Sequence, residues 1–201
     1  MTQYAKEDIR NQILAAAREE FIKQGFEKAS IRTITAAAGT AKSNLYNYFA
    51  DKDALFCAVL EPVVTDIRTA LEAAQAENEG RGTESYSQDS QERYMRLVMQ
   101  YVASHTADIS MLLFSAAGSS LAGFKDEVID RFTGILTVWL AAAMPGHAPS
   151  RLFVRCVAEF YLSVVVQMLQ QRPTMQEAQA YMGEFLKFVY GGWHHVMSSV
   201  D

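Results

Sequence analysis

A chain of 201 residues, half of them hydrophobic, is long enough to bury the core of one or two globular domains and too apolar to be a disordered tail. Its formal net charge of −5 excludes a protein that coats nucleic acid along its whole length, since phosphate binding needs positive charge. The charge is unevenly spread: residues 1–52 hold eight Lys/Arg against six Asp/Glu, and the remainder holds 10 against 17, so the two parts differ in electrostatic character.

In chain order, Ile9, Ile13, Leu14, Ala17 and Phe21 recur at spacings of three and four and predict a first helix over 6–24, with Gly25 as its stop. Ser30 is a good N-cap for a short second helix with Ile31 and Ile34 inward, ending at Gly39. The third element is GTAKSNLYNYF, residues 39–49, a helix crowded with polar groups. With Leu45 set inward at 100° per residue, Ala41 and Phe49 share its side, Ser43 and Asn47 point away, and Lys42, Asn44 and Tyr46 flank them. Asn and Ser suit base edges, and Lys, Tyr and Asn suit phosphates, so this face reads as a DNA-reading surface. The bland alternative is an ordinary solvated helix face. Residues 28–52, with four Lys/Arg against one acid, favour the former.

Asp51 is placed to cap a fourth helix through Leu55 and Val59, in which Pro62 predicts a bend. AENEGRGTESYSQDSQE, residues 76–92, loses apolar periodicity and reads as a surface loop. Helical patterns resume over 91–105, 108–118, 124–144, 150–171 and 175–198, and Thr174 with Glu177 forms a capping box for the last. No β-alternation or internal repeat appears. The fold class is all-α, with about nine helices.

A helix of about nine residues, a turn at Ala38-Gly39-Thr40 and a second short helix make a helix-turn-helix, whose second element enters the major groove of DNA. Here the chain resembles the TetR family of bacterial transcriptional regulators. The resemblance is carried by Ala17, Phe21, Gly25, Phe26, Ser30, Ile31, Ile34, Ala38, Gly39, Leu45, Tyr46, Tyr48, Phe49, Lys52 and Leu55, about a quarter of the chain. It implies a DNA-binding domain over 1–52 and a helical ligand-binding and dimerisation domain over 53–201. It also implies that Arg32 contacts a base or phosphate, with Ser30 and Thr33 near the DNA backbone. Lys42, Ser43 and Asn47 match base-facing positions; Asn44, Tyr46, Tyr48 and Lys52 match positions that hold phosphates. Two departures carry expectations of their own. Thr40-Ala41 stands where the family has an apolar residue then Ser, which moves the expected capping hydroxyl to Thr40. Thr35 stands for the usual Ala, and its hydroxyl is expected to bond the carbonyl of Ile31.

The segment 150–171 has a polar seam of Arg151, Arg155, Glu159, Ser163 and Gln167, and is apolar elsewhere; the last helix is similar. So wide an apolar arc needs cover on two sides. The family implies a two-fold homodimer in which these helices form a four-helix interface, with Val157, Tyr161, Val164, Met168, Tyr181, Phe185, Phe188 and Trp193 as interface candidates; a fully intrachain core is the alternative. Met95, Met99, Tyr101, Val102, His105, Met111, Phe114, Trp139, Phe160 and Tyr161 give a soft, aromatic-rich interior. They fill a core on the plain reading and line an effector cavity on the one the family implies.

Enzyme chemistry has little support. His194 and His195 are adjacent and splay about 100° apart, His105 and Asp108 lack further ligands at a fixed offset, and neither a GxSxG nor a phosphate-cradling Gly loop occurs. No metal or cofactor is expected. Cys57 and Cys156 read as reduced core thiols. MTQYAKEDIR has no apolar leader, and the uncharged runs 109–124 and 132–150 carry Ser and Gly or break at Pro145-Gly146, so the expected setting is the cytoplasm, with no membrane partner. The expected function is a ligand-responsive repressor, released from a palindromic DNA operator by a mostly apolar small effector. The alternative is a DNA-binding regulator whose second domain answers to a protein partner or to no ligand.

Overall fold

The structure, a computed structural model, describes residues 3–81, 88–144, 146 and 149–198. Among these, nine helices and no strand occur: α1 (Gln3–Lys28), α2 (Ile31–Ala37), α3 (Lys42–Leu45), α4 (Lys52–Arg81), α5 (Gln88–Ser104), α6 (Thr106–Phe114), α7 (Phe124–Ala143), α8 (Arg151–Gln171) and α9 (Met175–Ser198). They divide into two compact units. One comprises the chain up to Ile67 together with His105–Lys125; the other comprises Arg68–Ser104 and the chain from Asp126 onward.

In the first unit the apolar stripe of α1 is buried as its spacing demands. Ile13, Ala17 and Phe21 have no exposed surface, and neither do Ile34, Leu45, Leu55, Phe56 and Leu60. Phe21 packs edge-on against Phe56 with ring centroids 4.9 Å apart, and Phe26 lies 5.1 Å from Phe56. Each such side chain contributes about 1.5–3 kcal/mol on burial, so this cluster is what holds the short α2 and α3 in place. α1 breaks at Gly25, whose φ of 71° is a conformation glycine alone adopts freely, and a last helical turn runs on to Lys28. There the amide of Phe26 donates to the carbonyl of Ser115 at 2.9 Å. α6 is tied to α1 by Arg18, which grips Asp108 with two bonds of 2.8 and 3.1 Å. The Oδ1 of Asp51 accepts from the amide of Ala54 at 2.7 Å, starting α4 as the sequence predicts.

Four expectations are corrected. α4 runs through Pro62 as one helix and on to Arg81, and α5 starts at Gln88, so most of 76–92 is helical rather than loop. The segment lacks apolar period because its described side chains are mainly exposed, not because its backbone leaves the helix; residues 82–87 lie outside the described residues. Thr35 is buried, but its Oγ1 donates to the carbonyl of Arg32 at 3.1 Å rather than to that of Ile31. Cys57 is half-buried, with its Sγ 3.1 Å from Ser120 Oγ, and Cys156 is exposed. Cys156 lies two positions, about 200°, beyond the buried Val154 on α8, and so faces away from the packed arc.

The second unit has its own core, in which Trp139, Leu140, Val154, Ala158, Val164, Phe185 and Trp193 are buried together. Phe185 meets Tyr161 edge-on at 5.3 Å, and Trp139 meets Trp193 at 6.0 Å. α4 is tied to α7 by Arg68, which bonds Glu127 twice, at 2.8 and 2.7 Å. That guanidinium holds the Glu127 carboxyl below the ordinary glutamate range. α8 opens on Ser150, whose hydroxyl accepts from the amide of Phe153, and α9 opens on the expected box, Glu177 accepting from the amide and hydroxyl of Thr174 at 2.8 Å each. By length and composition α8 could cross a membrane, yet Arg155 on it pairs with Asp130 and Glu159, and its far side is the apolar face discussed below.

Candidate nucleic-acid interface

Helices α2 and α3 and the turn between them form the expected helix-turn-helix within the first unit. Ser30 caps α2, accepting from the amide of Thr33 at 3.4 Å, while its own amide donates to Glu20 Oε1 at 3.1 Å. Arg32 and Thr33 stand exposed on the first turn of α2. The turn passes through Gly39 at φ 62°, and the Thr40 amide closes it on the carbonyl of Thr35 at 3.0 Å.

The second helix is shorter than the wheel assumes. α3 is helical only from Lys42 to Leu45; beyond it the amides of Asn47 and Tyr48 reach back three residues, to Asn44 at 3.1 Å and Leu45 at 3.0 Å, a tighter turn of 3₁₀ type. The sorting of faces survives this for most positions. Leu45 and Phe49 are buried, Lys42, Ser43, Tyr46 and Asn47 are exposed, and Asn44 and Tyr48 are half-buried. Ala41 departs from it: it is the exposed N-cap of α3 and makes no capping bond. Thr40 does not cap α3 either. Its Oγ1 accepts instead from Asn44 Nδ2 at 2.8 Å, and Asn47 Nδ2 in turn donates to Asn44 Oδ1 at 3.4 Å. The ammonium of Lys42 lies 5.8 Å over the ring of Tyr46, so the cation and the phenol stand together at the surface.

Lys52 is placed differently from its neighbours. Its Nζ donates to the carbonyls of Phe26, Glu27 and Ala29 at 2.8, 3.1 and 3.4 Å and lies 4.6 Å from the centre of the Phe26 ring. The three carbonyls lie at the end of α1 and just beyond it, where carbonyls lack helical partners. Sequence reasoning missed Arg10, whose guanidinium lies 5.6 Å over the Phe49 ring and brings a third positive charge beside the turn after α3. Its position on the exposed side of α1 was legible; its proximity to Phe49 depends on how α1 crosses the other helices.

The effector candidates are divided between the two units. His105, Met111 and Phe114 lie in the first, with Met111 buried and Phe114 47% exposed. Met95, Met99, Tyr101, Val102, Trp139, Phe160 and Tyr161 lie in the second, where Met95 and Trp139 are core residues, Met99 and Tyr161 pack against them, Val102 is buried and Phe160 is exposed. Of the interface candidates, Val164, Met168, Phe185 and Trp193 are buried within their own chain, Val157 and Tyr161 are half-buried, and Tyr181 and Phe188 are exposed. The exposed apolar residues of α8 and α9 include Leu152, Phe153, Phe160, Met175 and Phe188, of which the first two and Met175 carried no distinguishing signal in the sequence. Among the described residues no group of three or more His, Cys, Asp or Glu side chains is placed to hold a metal ion.

A buried three-helix frame that presents a short, polar and basic second helix defines a helix-turn-helix protein. Residues 13–59 match the family described as bacterial regulatory proteins, tetR family. A transcriptional repressor of Mycobacterium tuberculosis, Rv1474c, is 42% identical over 50 residues, 25% of this chain and 27% of the repressor. The transcriptional activator FasR of Mycolicibacterium smegmatis is 36% identical over 70 residues, 33% of this chain and 32% of the activator. The chain thus aligns with about a quarter to a third of the length of these relatives. The crystal structure of a TetR-like transcriptional regulator from Rhodococcus sp. RHA1 superimposes with a TM-score of 0.61 at 20% identity, covering 94% of this chain and 96% of that one. The match to the tetR family lies in the amino-terminal segment, and the fold as a whole is TetR-like.

Proposed function

We propose that this protein is a homodimeric DNA-binding transcriptional regulator, acting as a repressor that a mostly apolar small molecule releases from a two-fold symmetric operator. The observation that carries the reading is the exposed set Lys42, Ser43, Tyr46 and Asn47 on a short helix whose opposite side, Leu45 and Phe49, is locked in the core. Tyr46 and Arg32 supply phosphate and backbone contacts that fix register, and Ser43 and Asn47 face the base edges. Lys42, which the family resemblance sets at a base-facing position, is assigned to a phosphate instead, because its ammonium lies over the ring of Tyr46.

One short recognition helix reads too few bases for a specific site. Two copies in successive major grooves, about 34–36 Å apart, double the site, and the exposed apolar residues of α8 and α9 supply the surface by which a second chain joins. Effector binding in the carboxy-terminal domain, taken as 53–201, would act through α4, which is continuous across the boundary between the two compact units at Ile67. A shift of that helix changes the separation of the recognition helices. Only the effector's differential affinity for the two arrangements can move the equilibrium.

Selection of duplexes from random DNA by the purified chain tests this directly. The expected product is a palindromic sequence bound by a dimer, with affinity falling steeply as salt rises. A melting temperature raised by members of a panel of apolar small molecules, with loss of the selected duplex, supports the sensor. A selected duplex bound regardless of every compound favours a second domain that answers to a protein partner, and no selected sequence at all refutes the DNA-reading assignment.

A further inference from the structure

Two cations rest on aromatic rings at the two ends of the recognition segment. At its start the ammonium of Lys42 lies 5.8 Å over Tyr46. Past its end the guanidinium of Arg10, carried by α1, lies 5.6 Å over Phe49. Phe49 is only 5% exposed, so its ring is held by the core and offers Arg10 a fixed seat. Arg10 comes three and seven residues ahead of Ile13 and Ala17, which have no exposed surface. It therefore stands one turn before the core of α1 begins, exposed itself yet within reach of the ring. Its contact is with a ring and not with an acceptor atom, which holds the side chain without neutralising it. Among the described residues no carboxylate pairs with it, whereas Arg18, also on α1, is bonded twice to Asp108.

That combination suits a phosphate. A guanidinium presents parallel N–H donors that match two phosphate oxygens, and it stacks on an aromatic face while doing so. Phe49 follows Asn47 by two residues, and Asn47 is the exposed residue that the proposed function aims at a base edge. Phosphates line both walls of the groove in which bases are read, so a cation just past the reading residues is placed for the backbone rather than for a base. Lys52, which the family resemblance sets at a phosphate, is turned instead to the carbonyls of Phe26, Glu27 and Ala29. We propose that Arg10 is a phosphate-contacting residue and Phe49 its positioning residue, so that α1 grips the DNA backbone past the end of the recognition helix while Lys42 does so at its start. This rests on the DNA-reading assignment made above and deepens it, by adding a contact from a helix outside the helix-turn-helix.

The test is a salt titration of the full chain on the duplex it selects and on random duplex, with Arg10→Ala, Arg10→Lys, Lys52→Ala and Phe49→Leu beside wild type. Arg10→Ala should flatten the dependence of log affinity on log salt by roughly one unit for each recognition helix bound, weaken both duplexes alike and leave the selected sequence unchanged. Its melting temperature should stay near that of wild type, since Arg10 is exposed. Arg10→Lys should keep the slope, because the charge remains, and lose affinity by roughly threefold or more, because an ammonium makes no paired contact. In a Phe49→Leu background the cost of Arg10→Ala should shrink from roughly fivefold to less than about twofold, since an unseated arginine has less contact to lose. If Phe49→Leu does not fold, Arg10→Lys carries the question of position. A wild-type slope in Arg10→Ala, or a unit of slope lost in Lys52→Ala instead, overturns the Arg10 contact. An Arg10→Lys protein indistinguishable from wild type, or an undiminished cost of Arg10→Ala beside Phe49→Leu, overturns the seat on Phe49. A wild-type chain that selects no sequence overturns the DNA-reading assignment, and the Arg10 contact with it.

Discussion

Lys42 and Lys52 carry the same charge ten positions apart, and the structure gives them different neighbours. Lys42 stands exposed over the ring of Tyr46, where the proposed function has it pair with a phosphate. Lys52 is fully engaged with the last carbonyls of α1. Lys42→Ala should therefore weaken binding to all duplexes alike and flatten the salt dependence by roughly one unit of slope. Lys52→Ala should lower stability by about 1–3 kcal/mol, because a charged donor leaves buried or half-buried acceptors behind, and should leave the salt slope nearly unchanged. Denaturation and salt titration of both variants separate the two roles; a Lys52→Ala protein that is as stable as wild type but has lost one unit of slope would return Lys52 to the phosphates. The sequence marks both lysines as basic positions beside a polar helix. It could not separate them, because the carbonyls that Lys52 meets lie more than twenty residues upstream and converge on it only after Gly25 turns the end of α1.

Elements with a strong period were legible, and the differences arise where packing or local bonds override period. α7, α8 and α9 fall within a residue of their predicted bounds, since their apolar positions recur at helical spacing and their starts are capped by residues such as Ser150 and Thr174. The recognition helix loses its last turn to a 3₁₀ geometry that no wheel can show, and α4 persists through Pro62 and past the end of its apolar stripe. Ion pairs between elements were not legible at all, because each depends on two surfaces meeting. Two of them make predictions. Arg18→Met removes both bonds to Asp108, whose side chain is only 14% exposed, and should destabilise the first unit by about 1–3 kcal/mol in denaturant, with little loss expected from Glu19, an exposed partner. Glu127 belongs to the second unit, and its pKa is held below the usual glutamate value of 4.5 chiefly by the hydrogen bond from Arg68. A depressed carboxyl contributes stability above its unfolded pKa and loses it as pH falls through its folded one. Acidification from pH 6 to below 4.5 should thus cost wild type more stability than Glu127→Gln, by about 1 kcal/mol or less after solvent screening. Equal losses in the two proteins would show that the Arg68 pair contributes nothing to the acid limb.

At the scale of the whole molecule the open matter is how the apolar surface of α8 and α9 is shared between the chain's own core and a second copy. Sequence alone assigns both helices to both tasks, since their apolar arcs are too wide to be split by counting. The structure splits them by exposure: Phe185 is 5% exposed and wedged against Phe160 and Tyr161, while Phe188, three residues on, is 70% exposed. Leu152, at 73%, lies at the start of α8 with the same character. The two phenylalanines should then respond oppositely to charge. Phe185→Glu places a carboxylate among aromatic rings with nothing to pair it, and should unfold the second unit or cost it several kcal/mol, on the order of what burying an unpaired charge demands. Phe188→Glu gives up one edge-on contact with the ring of Phe160, itself exposed, and otherwise meets solvent in the isolated chain. It should therefore shift the melting transition only slightly at low concentration, yet it sets like charges against each other across a two-fold axis. We expect light scattering to give a folded monomer for Phe188→Glu and a dimer for wild type. Because a monomer presents one recognition helix instead of two, the variant should also bind the selected palindrome no better than random duplex, while Asn47→Ala, impaired in reading one base pair, remains a dimer. A folded dimer of Phe188→Glu would place the interface elsewhere on the second unit, and a wild-type monomer at assay concentration would remove the geometric basis for a two-half-site operator altogether.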